Sequence, residues 1–434
     1  MSPPKSSGID LSDDDLDCLS ISELEKQALG RMDKQTRDYY NEGADSGVTL
    51  LDNIMAYQMY RIRPRIMRDV SSIDSSVVVF GHRSSAPFGI APAAMQKLAH
   101  PDGELATARA CARRGIVMGL SSFSTTTLED VRQASGRVPN ALQLYLFEDR
   151  SHSRDLIARA KMAGYKAVIL TVDTPVLGRR RLEIRNQFRL PSHLEIANFA
   201  SHATESEVKS SSTEEGNNLP DGYATRAPQI TFHTHGPNPT LEWKETMKWL
   251  KHEASPMQVW LKVEHGADGI IVSNHGGRQL DGALATLDAL PDIVAVVGRR
   301  IPVHVDGGIR LGSEIFKALA LGADFCWVGR PALWGLAYKG QVGVELCLRL
   351  LIDEFRRCMG LSGVTEVKQI GPDYLCKVGR SGFFCYVSLL FCIVALAVDV
   401  ASGMLMGFQD FHTATRTRRD ANHLFWTLHF NSGF

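Results

Sequence analysis

Eight short apolar segments recur along the chain, and helix-like segments separate most of them. They occupy 88–94, 115–122, 140–147, 166–173, 257–262, 269–275, 302–308 and 324–330. Most are apolar throughout, which is typical of parallel strands that other elements cover on both faces. Strands that alternate with helices in this number predict an α/β fold, a (β/α)8 TIM barrel. A doubly wound parallel sheet is the competing fold, but it usually has about five or six strands.

Three regions of the chain differ in character. Residues 1–36 are a polar, acidic arm that leads into apolar residues with helical spacing between Ser20 and Tyr40. Residues 37–380 contain the predicted barrel, and a polar variable loop at 190–240 follows its fourth strand. Residues 381–434 are an atypical apolar tail. We therefore expect one catalytic domain with an extension at each end.

The tail has a composition unlike the rest of the chain. Its uncharged part, 383–398, is shorter than the about 20 residues that a transmembrane helix needs. A span that continues to 408 would be long enough but would contain the charge of Asp399. A membrane anchor, a helix docked on the barrel and a translated intron are the three interpretations. The abrupt change in composition favours a translated intron, so membrane association through this tail is possible but not favoured.

The composition is that of an ordinary globular protein, with 44% apolar and 22% charged residues among 434. The 48 basic and 48 acidic residues cancel, so no nucleic-acid partner is indicated. The eight cysteines are scattered singly, which favours reduced thiols in an intracellular protein. The N-terminus resembles neither a signal nor a transit peptide, and the last residues, NSGF, are not a peroxisomal signal. We expect a cytoplasmic protein, or a peroxisomal one without a recognisable C-terminal signal.

Candidate acid–base and anion-binding groups follow the predicted strands. The carboxyl ends of barrel strands meet at one face, where active sites form. His275 ends the sixth strand, and Arg278 follows after two glycines, so a tight turn could bring the guanidinium beside the imidazole. Arg180 is a second candidate for binding a carboxylate, and Asp173 could hold the imidazole in one tautomer. The set suits an anionic substrate with a proton to remove, although His275 alone could be a structural histidine.

Two glycine–arginine motifs follow the last two strands. They are DGGIR at 306–310 and GRP at 329–331. Glycines let backbone amides approach a ligand closely, and Arg310 and Arg330 supply positive charge. Many barrels bind a phosphate at this place. A phosphate site is therefore predicted, and tight turns with surface arginines are the alternative.

These motifs resemble the FMN-dependent α-hydroxy acid oxidases and dehydrogenases, the glycolate and lactate oxidase family. The stretch SNHGGRQLDG at 273–282 closely resembles the active-site signature of that family. Further similar motifs occur in family order from Arg37 to Met359: DYYNEGAD, RIRPRIM, IAPAAMQKLAHPDGE, QLYLFEDR, LTVDTPVLGRR, VDGGIR and FKALALGADFCWVGRP. The family has a (β/α)8 barrel, in agreement with the apolar pattern.

The resemblance implies an activity and its cofactor. The enzyme would use FMN to oxidise an L-2-hydroxy acid to the 2-oxo acid, with O2 as the acceptor that yields hydrogen peroxide. No haem-binding HPGG motif precedes the barrel, which disfavours a cytochrome-linked dehydrogenase. Oxidation of a specialised metabolite with the same –CH(OH)–COO− group is an alternative. Barrels of this family are often tetramers, so we expect a homo-oligomer.

The resemblance also assigns roles to residues. His275 would remove a proton while the α-hydrogen passes to flavin N5, and Asp173 would raise the basicity of His275. Lys262 would stabilise the reduced flavin near N1. The groups that hold the substrate carboxylate and hydroxyl would be Tyr39, Tyr145, Arg180 and Arg278. The residues that line the flavin ring and ribityl chain would be Pro92, Ala93, Ala94, Ser121, Gln143, Thr171 and Ser273. Those that bind the ribityl chain and phosphate would be Asp306, Gly307, Gly308, Ile309, Arg310, Gly329 and Arg330.

Two positions depart from the family pattern. Phe123 stands where glycolate oxidases typically carry a tryptophan that faces the substrate. A phenyl ring is smaller and lacks the indole N–H, so we expect a bulkier or different 2-hydroxy acid. Ala93 replaces a common threonine, which matters less if the flavin contact there is through the backbone. No metal site is predicted.

A third departure is a missing helix between the fifth and sixth strands. Family members have a turn and a helix after the lysine, whereas Lys262 here runs directly into Val263. Parallel neighbours need a crossover of about a dozen residues or more, and residues 263–268 cannot supply one. Three interpretations remain: a mis-spliced or wrongly predicted gene, a destabilised and catalytically impaired variant that serves as a scaffold, and a rearranged active barrel.

Overall fold

The computed structural model describes residues 16–199, 238–261 and 266–378. Most of the predicted variable loop, Lys262 and the tail 381–434 lie outside the described residues. The chain divides into two compact units, Met1–Cys376 and Lys377–Phe434. The described part belongs almost entirely to the first unit, which contains the predicted site.

The described strands and helices are numbered in chain order. The strands are β1 Tyr60–Ile62, β2 Val77–Val79, β3 His82–Ser84, β4 Phe88–Ile90, β5 Met118–Leu120, β6 Asn140–Leu144, β7 Ala167–Leu170, β8 Gln258–Leu261, β9 Gly269–Val272, β10 Val303–Asp306, β11 Phe325–Val328 and β12 Leu375–Lys377. The helices are α1 Ile21–Leu29, α2 Lys34–Asn41, α3 Val48–Met55, α4 Gly103–Arg114, α5 Leu128–Ala134, α6 Arg150–Ala163, α7 Arg181–Arg185, α8 Trp243–Ala254, α9 Thr286–Val297, α10 Gly312–Ala320 and α11 Arg330–Leu361, which is broken at Lys339 and Gly340.

Strands β4 to β11 form one closed barrel, in which each strand is parallel to the next and β11 pairs with β4. Each of the eight predicted apolar segments contains one of these strands. The predicted (β/α)8 barrel is therefore confirmed. The strands read as apolar throughout because helices cover them outside and side chains fill the barrel inside.

The N-terminal region contains two helices where the apolar spacing predicted one. Asp33 is the N-cap of α2. Its carboxylate accepts a hydrogen bond from the backbone N–H of Thr36 at 3.0 Å, which ends the connection between the two helices. Ile21, Leu24 and Ala28 of α1 are fully buried and belong to the main hydrophobic core. Helix α1 therefore packs as part of the barrel unit.

Strands β8 and β9 are direct neighbours in the barrel. Trp260 lies opposite Gly269 in parallel register, and the backbone N–H of Asp268 donates to the carbonyl of Val259 at 2.8 Å. No helix occurs among the described residues between the two strands, and 262–265 lie outside them. A Cβ atom at Gly269 would lie 2.3 Å from the Trp260 ring, so only glycine fits there.

An aromatic floor fills the barrel beneath the strand ends that carry the candidate groups. It consists of Phe80, Trp260, His304, Phe325 and Trp327. The Trp260 and His304 rings are 4.1 Å apart, and Trp327 Nε1 donates to His304 Nδ1 at 3.2 Å. Burial lowers the pKa of His304 to about 3, so the imidazole is neutral. The floor is a layer of rings packed against one another inside the barrel, and Trp327 borders the cavity above it.

Two other sequence expectations concern cysteines and membranes. The cysteines in the described ranges are all free thiols, and Cys385 and Cys392 lie outside these ranges. Within residues 16–199, 238–261 and 266–378, no helix combines the length and the apolar character needed to cross a membrane.

Candidate active site

One cavity of about 340 Å³ opens at the carboxyl ends of the barrel strands. Every predicted site residue lines it except Lys262, which lies outside the described residues. These lining residues are Tyr39, Pro92, Ala93, Ala94, Ser121, Phe123, Gln143, Tyr145, Thr171, Asp173, Arg180, Ser273, His275, Arg278, Asp306, Gly307, Gly308, Ile309, Arg310, Gly329 and Arg330. The barrel thus brings the ends of seven of its strands, all except β8, to one site among the described residues, in line with the fold.

His275 lies in a left-handed turn directly after β9. Its φ is 60°, and Gly276 and Gly277 follow with φ of 62° and 77°. A Cβ atom at Gly277 would lie 2.7 Å from the backbone of Leu50 on α3, so the turn needs glycine there. The imidazole is partly exposed to the cavity, and its Nδ1 lies 3.2 Å from Asp173 Oδ1. A left-handed backbone at a non-glycine residue stores strain that is typical of functional sites.

A pair of amide side chains fastens this turn to α3. Asn53 and Asn274 donate reciprocally, each Nδ2 to the other Oδ1, at 2.8 Å. Asn274 Oδ1 also accepts from the N–H of Gly277 at 3.1 Å, and Asn53 Oδ1 accepts from the N–H of Thr286 at 3.2 Å. Sequence reasoning missed Asn53, which lines the cavity from a helix outside the strand pattern. No signal in the sequence distinguishes it from a surface asparagine.

Two arginines stand together beside the His275 turn. Arg278 Nη1 donates to the carbonyls of Tyr39 and Glu42, at the C-terminal end of α2, where helix carbonyls lack partners. The Nε atom of Arg180 is buried and has no hydrogen-bond partner among the described residues. Burial, and next the charge of Arg278, lower the pKa of Arg180. An anion in the cavity would supply the missing partner.

Glu183 of α7 accompanies the arginines, and sequence reasoning missed it. Its Oε1 accepts from Arg278 Nη2 at 3.0 Å and lies 3.8 Å from Arg180 Nε. The spacing of Arg180 and Glu183, three residues apart in a helical turn, was the available signal. An arginine and a glutamate three residues apart are common on helix surfaces, and this pair differs from them in that the Glu183 side chain is buried.

Aromatic rings form an uncharged wall at the same end of the cavity. Tyr39 stacks on Phe188, with ring centroids 4.6 Å apart. Phe123 packs on Tyr145 at 5.5 Å and on Phe199 at 5.8 Å. Burial raises the pKa of both Tyr39 and Tyr145, so their hydroxyls stay protonated near neutral pH. The wall offers phenol donors and apolar contacts to a ligand.

The other end of the cavity contains a polar cradle. Gln143 Nε2 donates to Thr171 Oγ1 at 3.0 Å, and Ser273 Oγ donates to Asp306 Oδ2 at 2.8 Å. Asp306 Oδ1 is buried without a hydrogen-bond partner among the described residues. Burial raises the pKa of Asp306 to about 7. An unsatisfied buried oxygen of this kind calls for a ligand donor such as a ribityl hydroxyl.

The glycine–arginine motifs adjoin this cradle, and Arg330 also reaches the His275 turn. Gly307 and Gly308 have φ of 95° and 79°, and a Cβ atom at Gly308 would lie 2.0 Å from the Asn53 carbonyl oxygen. Arg330 is partly buried and donates, within the described ranges, to the backbone carbonyls of Tyr40, Glu42 and Gly276, so it shares the Glu42 carbonyl with Arg278. Burial lowers the pKa of Arg330 to about 9. A phosphate beside this guanidinium would offset the cost of burying it.

Arg310, the other predicted phosphate ligand, is already paired. Its Nη1 donates to Glu25 of α1 at 2.8 Å, and its guanidinium lies over the Trp334 ring. The cavity therefore fits an elongated ligand with a hydroxylated chain and an anionic end, as FMN has. In the described part of the chain, no group of histidine, cysteine or acidic side chains could hold a metal ion.

Comparisons with known proteins agree with this geometry. The family model described as FMN-dependent dehydrogenase matches residues 28–377. Oxidase FUB9 of Fusarium oxysporum f. sp. lycopersici is 42% identical over 375 residues, which are 84% of this chain and 92% of that protein. 2-Hydroxyacid oxidase 1 of Homo sapiens is 42% identical over 370 residues, 83% of this chain and 96% of that protein.

A solved structure is similar as well. Mandelate oxidase with (S)-4-hydroxymandelic acid superposes with a TM-score of 0.71 at 35% identity. The superposition covers 81% of this chain and 97% of that one. The sequence relatives and the solved structure thus each match more than four fifths of the chain.

Proposed function

The chain belongs to the family of FMN-dependent dehydrogenases, and from this premise we propose that it oxidises an L-2-hydroxy acid to the 2-oxo acid. FMN is the cofactor of this family. O2 as electron acceptor and hydrogen peroxide as second product are part of the proposal, and relatives that are named oxidases support them. The observation that carries the proposal is the His275–Asp173 pair in one cavity with the Arg180–Arg278 pair.

The arginines would bind the substrate carboxylate. Guanidinium groups pair with carboxylates through directed, charge-assisted hydrogen bonds. Arg180 Nε is a buried donor that lacks a hydrogen-bond partner in the described part of the chain, and Arg180 lines the cavity. Tyr145 would donate its phenol hydrogen to the substrate, and Tyr39 would do the same from the stacked wall. These contacts would fix the α-carbon relative to His275.

His275 would be the general base. Its Nδ1–H would donate to Asp173, which leaves the lone pair of Nε2 free to take the proton of the substrate hydroxyl. The Asp173 carboxylate would then stabilise the imidazolium that forms. The chemistry that FMN supplies when bound is the two-electron oxidation of the α-carbon.

The polar cradle would hold the cofactor. Gln143 and Thr171 would meet the flavin ring, Asp306 a ribityl hydroxyl, and Arg330 the phosphate. The role of Lys262 as the cation near the flavin ring stays a prediction. The unpartnered Asp306 Oδ1 and the partly buried Arg330 guanidinium support this assignment.

The test uses the full chain. The purified protein should be yellow, and a panel of L-2-hydroxy acids should yield peroxide and the 2-oxo acid, with the D-enantiomers inert. Flavin-loaded protein that releases neither product from any member of the panel would refute the proposed reaction.

A catalytically impaired barrel is the second candidate, and the direct β8–β9 junction favours it. Protein that purifies without flavin and cannot be reconstituted with FMN would support this candidate. The transcript across Lys262 and Val263 distinguishes a wrongly spliced or wrongly predicted gene from a genuine variant. An additional segment at this junction would show that the helix between β8 and β9 is missing only from the sequence as written.

A further inference from the structure

A fully buried carboxylate lies in the first turn of α4, outside the lining of the cavity. Glu104 is 0% exposed. Its Oε1 accepts hydrogen bonds from the backbone N–H groups of Gln96 and Thr125, each at 2.9 Å. Its Oε2 accepts from the hydroxyls of Thr125 and Thr126, each at 2.9 Å. None of its hydrogen-bond partners in the described part of the chain is a basic side chain.

The burial of this carboxylate is costly. A charged group inside a protein without an opposite charge needs several donors around it, and the N-terminal end of a helix adds some stabilisation. Apolar side chains of matching shape at these positions would avoid the cost of burying polar groups. Stability alone therefore does not explain the network, whereas the geometry that it fixes does.

The network joins two loops that line the cavity. The β4 loop, residues 91–98, follows β4, and the β5 loop, residues 121–127, follows β5. The residues that concern the two ligands are Ala93 and Ala94 of the β4 loop, which are predicted to line the flavin ring, and Phe123 of the β5 loop, which is predicted to face the substrate. Glu104 accepts a backbone N–H from each loop, so one side chain of α4 ties both of them.

The two loops also bond to each other at a strained turn. Met95 has a left-handed backbone with a φ of 55°. Its N–H donates to the carbonyl of Phe123 at 3.1 Å, and its carbonyl accepts from the Tyr40 hydroxyl at 2.8 Å. A residue other than glycine keeps such a backbone only where its surroundings fix it. Glu104 fixes the next residue, Gln96, and thereby holds the strained turn against α4.

We propose that Glu104 is a positioning residue that holds the β4 loop and the β5 loop as one rigid unit, so that the flavin wall at Ala93 and the substrate wall at Phe123 keep a fixed separation. The inference rests on the proposed function, because the flavin and the hydroxy acid would meet between these walls. Glu104 acts through the backbone of the two loops and does not itself line the cavity. A displacement of about 1 Å between reacting groups can cost about 100-fold in rate.

The first test compares two substitutions in the FMN-loaded full chain. Glu104→Leu leaves two backbone N–H groups without an acceptor, whereas Glu104→Gln keeps an oxygen for them. We expect Glu104→Leu to shift the visible absorbance maxima of the flavin and to slow its reduction by saturating L-2-hydroxy acid about 100-fold. Glu104→Gln should restore the wild-type spectrum and a rate within about fivefold of wild type. Absorbance spectra and stopped-flow reduction measure both effects.

Asp324→Leu is the control for a carboxylate that accepts a backbone N–H elsewhere. Asp324 Oδ2 accepts from Val303 at 2.8 Å, at the amino ends of β10 and β11 and away from the cavity. Asp324→Leu should lower the thermal midpoint but leave the flavin spectrum and the reduction rate unchanged. Equal changes in the Glu104 and Asp324 variants would mean that Glu104 acts only through stability, and a wild-type spectrum and rate in Glu104→Leu would overturn the proposal.

A milder substitution decides if Glu104→Leu does not fold. Thr126→Val removes only the 2.9 Å bond to Oε2, so it should slow flavin reduction about threefold. An unchanged rate in Thr126→Val would contradict the proposal. Wild-type protein whose bound flavin no L-2-hydroxy acid reduces refutes the proposed function, while the flavin spectra still decide the role of Glu104. Protein that cannot be loaded with FMN refutes both.

Discussion

The barrel interior has an apolar layer, the floor, and a polar layer at the carboxyl ends of the strands, here called the mouth. The floor is a layer of rings in contact, and its one titratable group, His304, is hydrogen-bonded to Trp327. The mouth contains buried ionisable groups, and within the described ranges Asp306 Oδ1 and Arg180 Nε have no hydrogen-bond partner. The floor therefore stabilises the fold through packing, whereas the mouth keeps polar groups unsatisfied until a ligand binds there.

The same strands contribute to both layers. On β10, His304 belongs to the floor, and Asp306 lines the cavity two residues later. Residues two apart on a strand point to the same face, so each strand carries packing at its start and chemistry at its end. Substitutions in the mouth should therefore change catalysis or flavin affinity, and substitutions in the floor should change stability.

The largest effect is expected for His275→Ala. Loss of the general base should lower kcat about 10⁴-fold, which corresponds to about 5.5 kcal/mol of transition-state stabilisation. Flavin content and the thermal midpoint should stay near the wild-type values, because the imidazole is partly exposed and packs little. Stopped-flow reduction of the flavin by an L-2-hydroxy acid measures the loss.

Its control is His252→Ala, since the His252 side chain is 85% exposed and lies on α8. This variant should keep wild-type kcat. Turnover by His275→Ala within tenfold of wild type would remove His275 as the base.

Trp260→Ala is the converse substitution in the floor. Trp260 is 3% exposed and its ring lies against Gly269 and His304, so its removal should cost about 4 kcal/mol of unfolding free energy. Turnover per flavin-loaded molecule should change less than about twofold. Trp243→Ala, at a tryptophan that is 40% exposed, should cost about 1 kcal/mol or less. Urea unfolding measures both, and a Trp260 variant with normal stability and impaired turnover would reverse the comparison.

The sequence predicts the mouth better than the floor. The barrel follows from eight apolar runs, and His275, Arg278 and the two glycine–arginine motifs follow from strand ends because the fold gathers those ends. Other site residues, such as Tyr39 on α2, were implied by the family resemblance. His304 lies inside the apolar run PVHV, and the sequence does not indicate that its imidazole is buried. Asn53 and Glu183 lie on helices far away in sequence, and only the tertiary fold brings them to Asn274 and to the arginines.

A third test concerns the pH dependence of the floor. The pKa of His304 is lowered to about 3, so between pH 6.5 and 3 the unfolded chain binds a proton that the folded chain does not. Stability from this site is present above the unfolded pKa and falls as the pH drops. The loss between pH 8 and pH 5 should be about 2 kcal/mol.

His304→Phe should remove that part of the pH dependence. The hydrogen bond from Trp327 is lost at both pH values, so its cost cancels when the two pH values are compared. The free energy of unfolding from urea titrations at pH 8 and pH 5 gives the difference, with His252→Phe as the exposed control. The same pH difference in wild type and His304→Phe would mean that the buried imidazole does not govern acid stability.

The smallest effect is expected in the mouth, for Asp306→Asn. The variant keeps the shape and the acceptor for Ser273 Oγ, but it places an amide N–H₂ where the unpartnered Oδ1 stands. A ribityl hydroxyl would lose its acceptor there, so FMN should bind about tenfold more weakly. Titration of the apoprotein with FMN, followed by flavin fluorescence, measures the affinity.

The stability of the apoprotein should move in the opposite direction. Burial raises the pKa of Asp306 to about 7, so its contribution to stability is present below the unfolded pKa and is lost as the pH rises through about 7. Asparagine cannot ionise, so apo Asp306→Asn should unfold at a higher temperature than the wild-type apoprotein at pH 8. Weaker flavin binding together with a more stable apoprotein identifies Asp306 as a cofactor ligand, whereas a fall in both would place it with the floor as a structural residue.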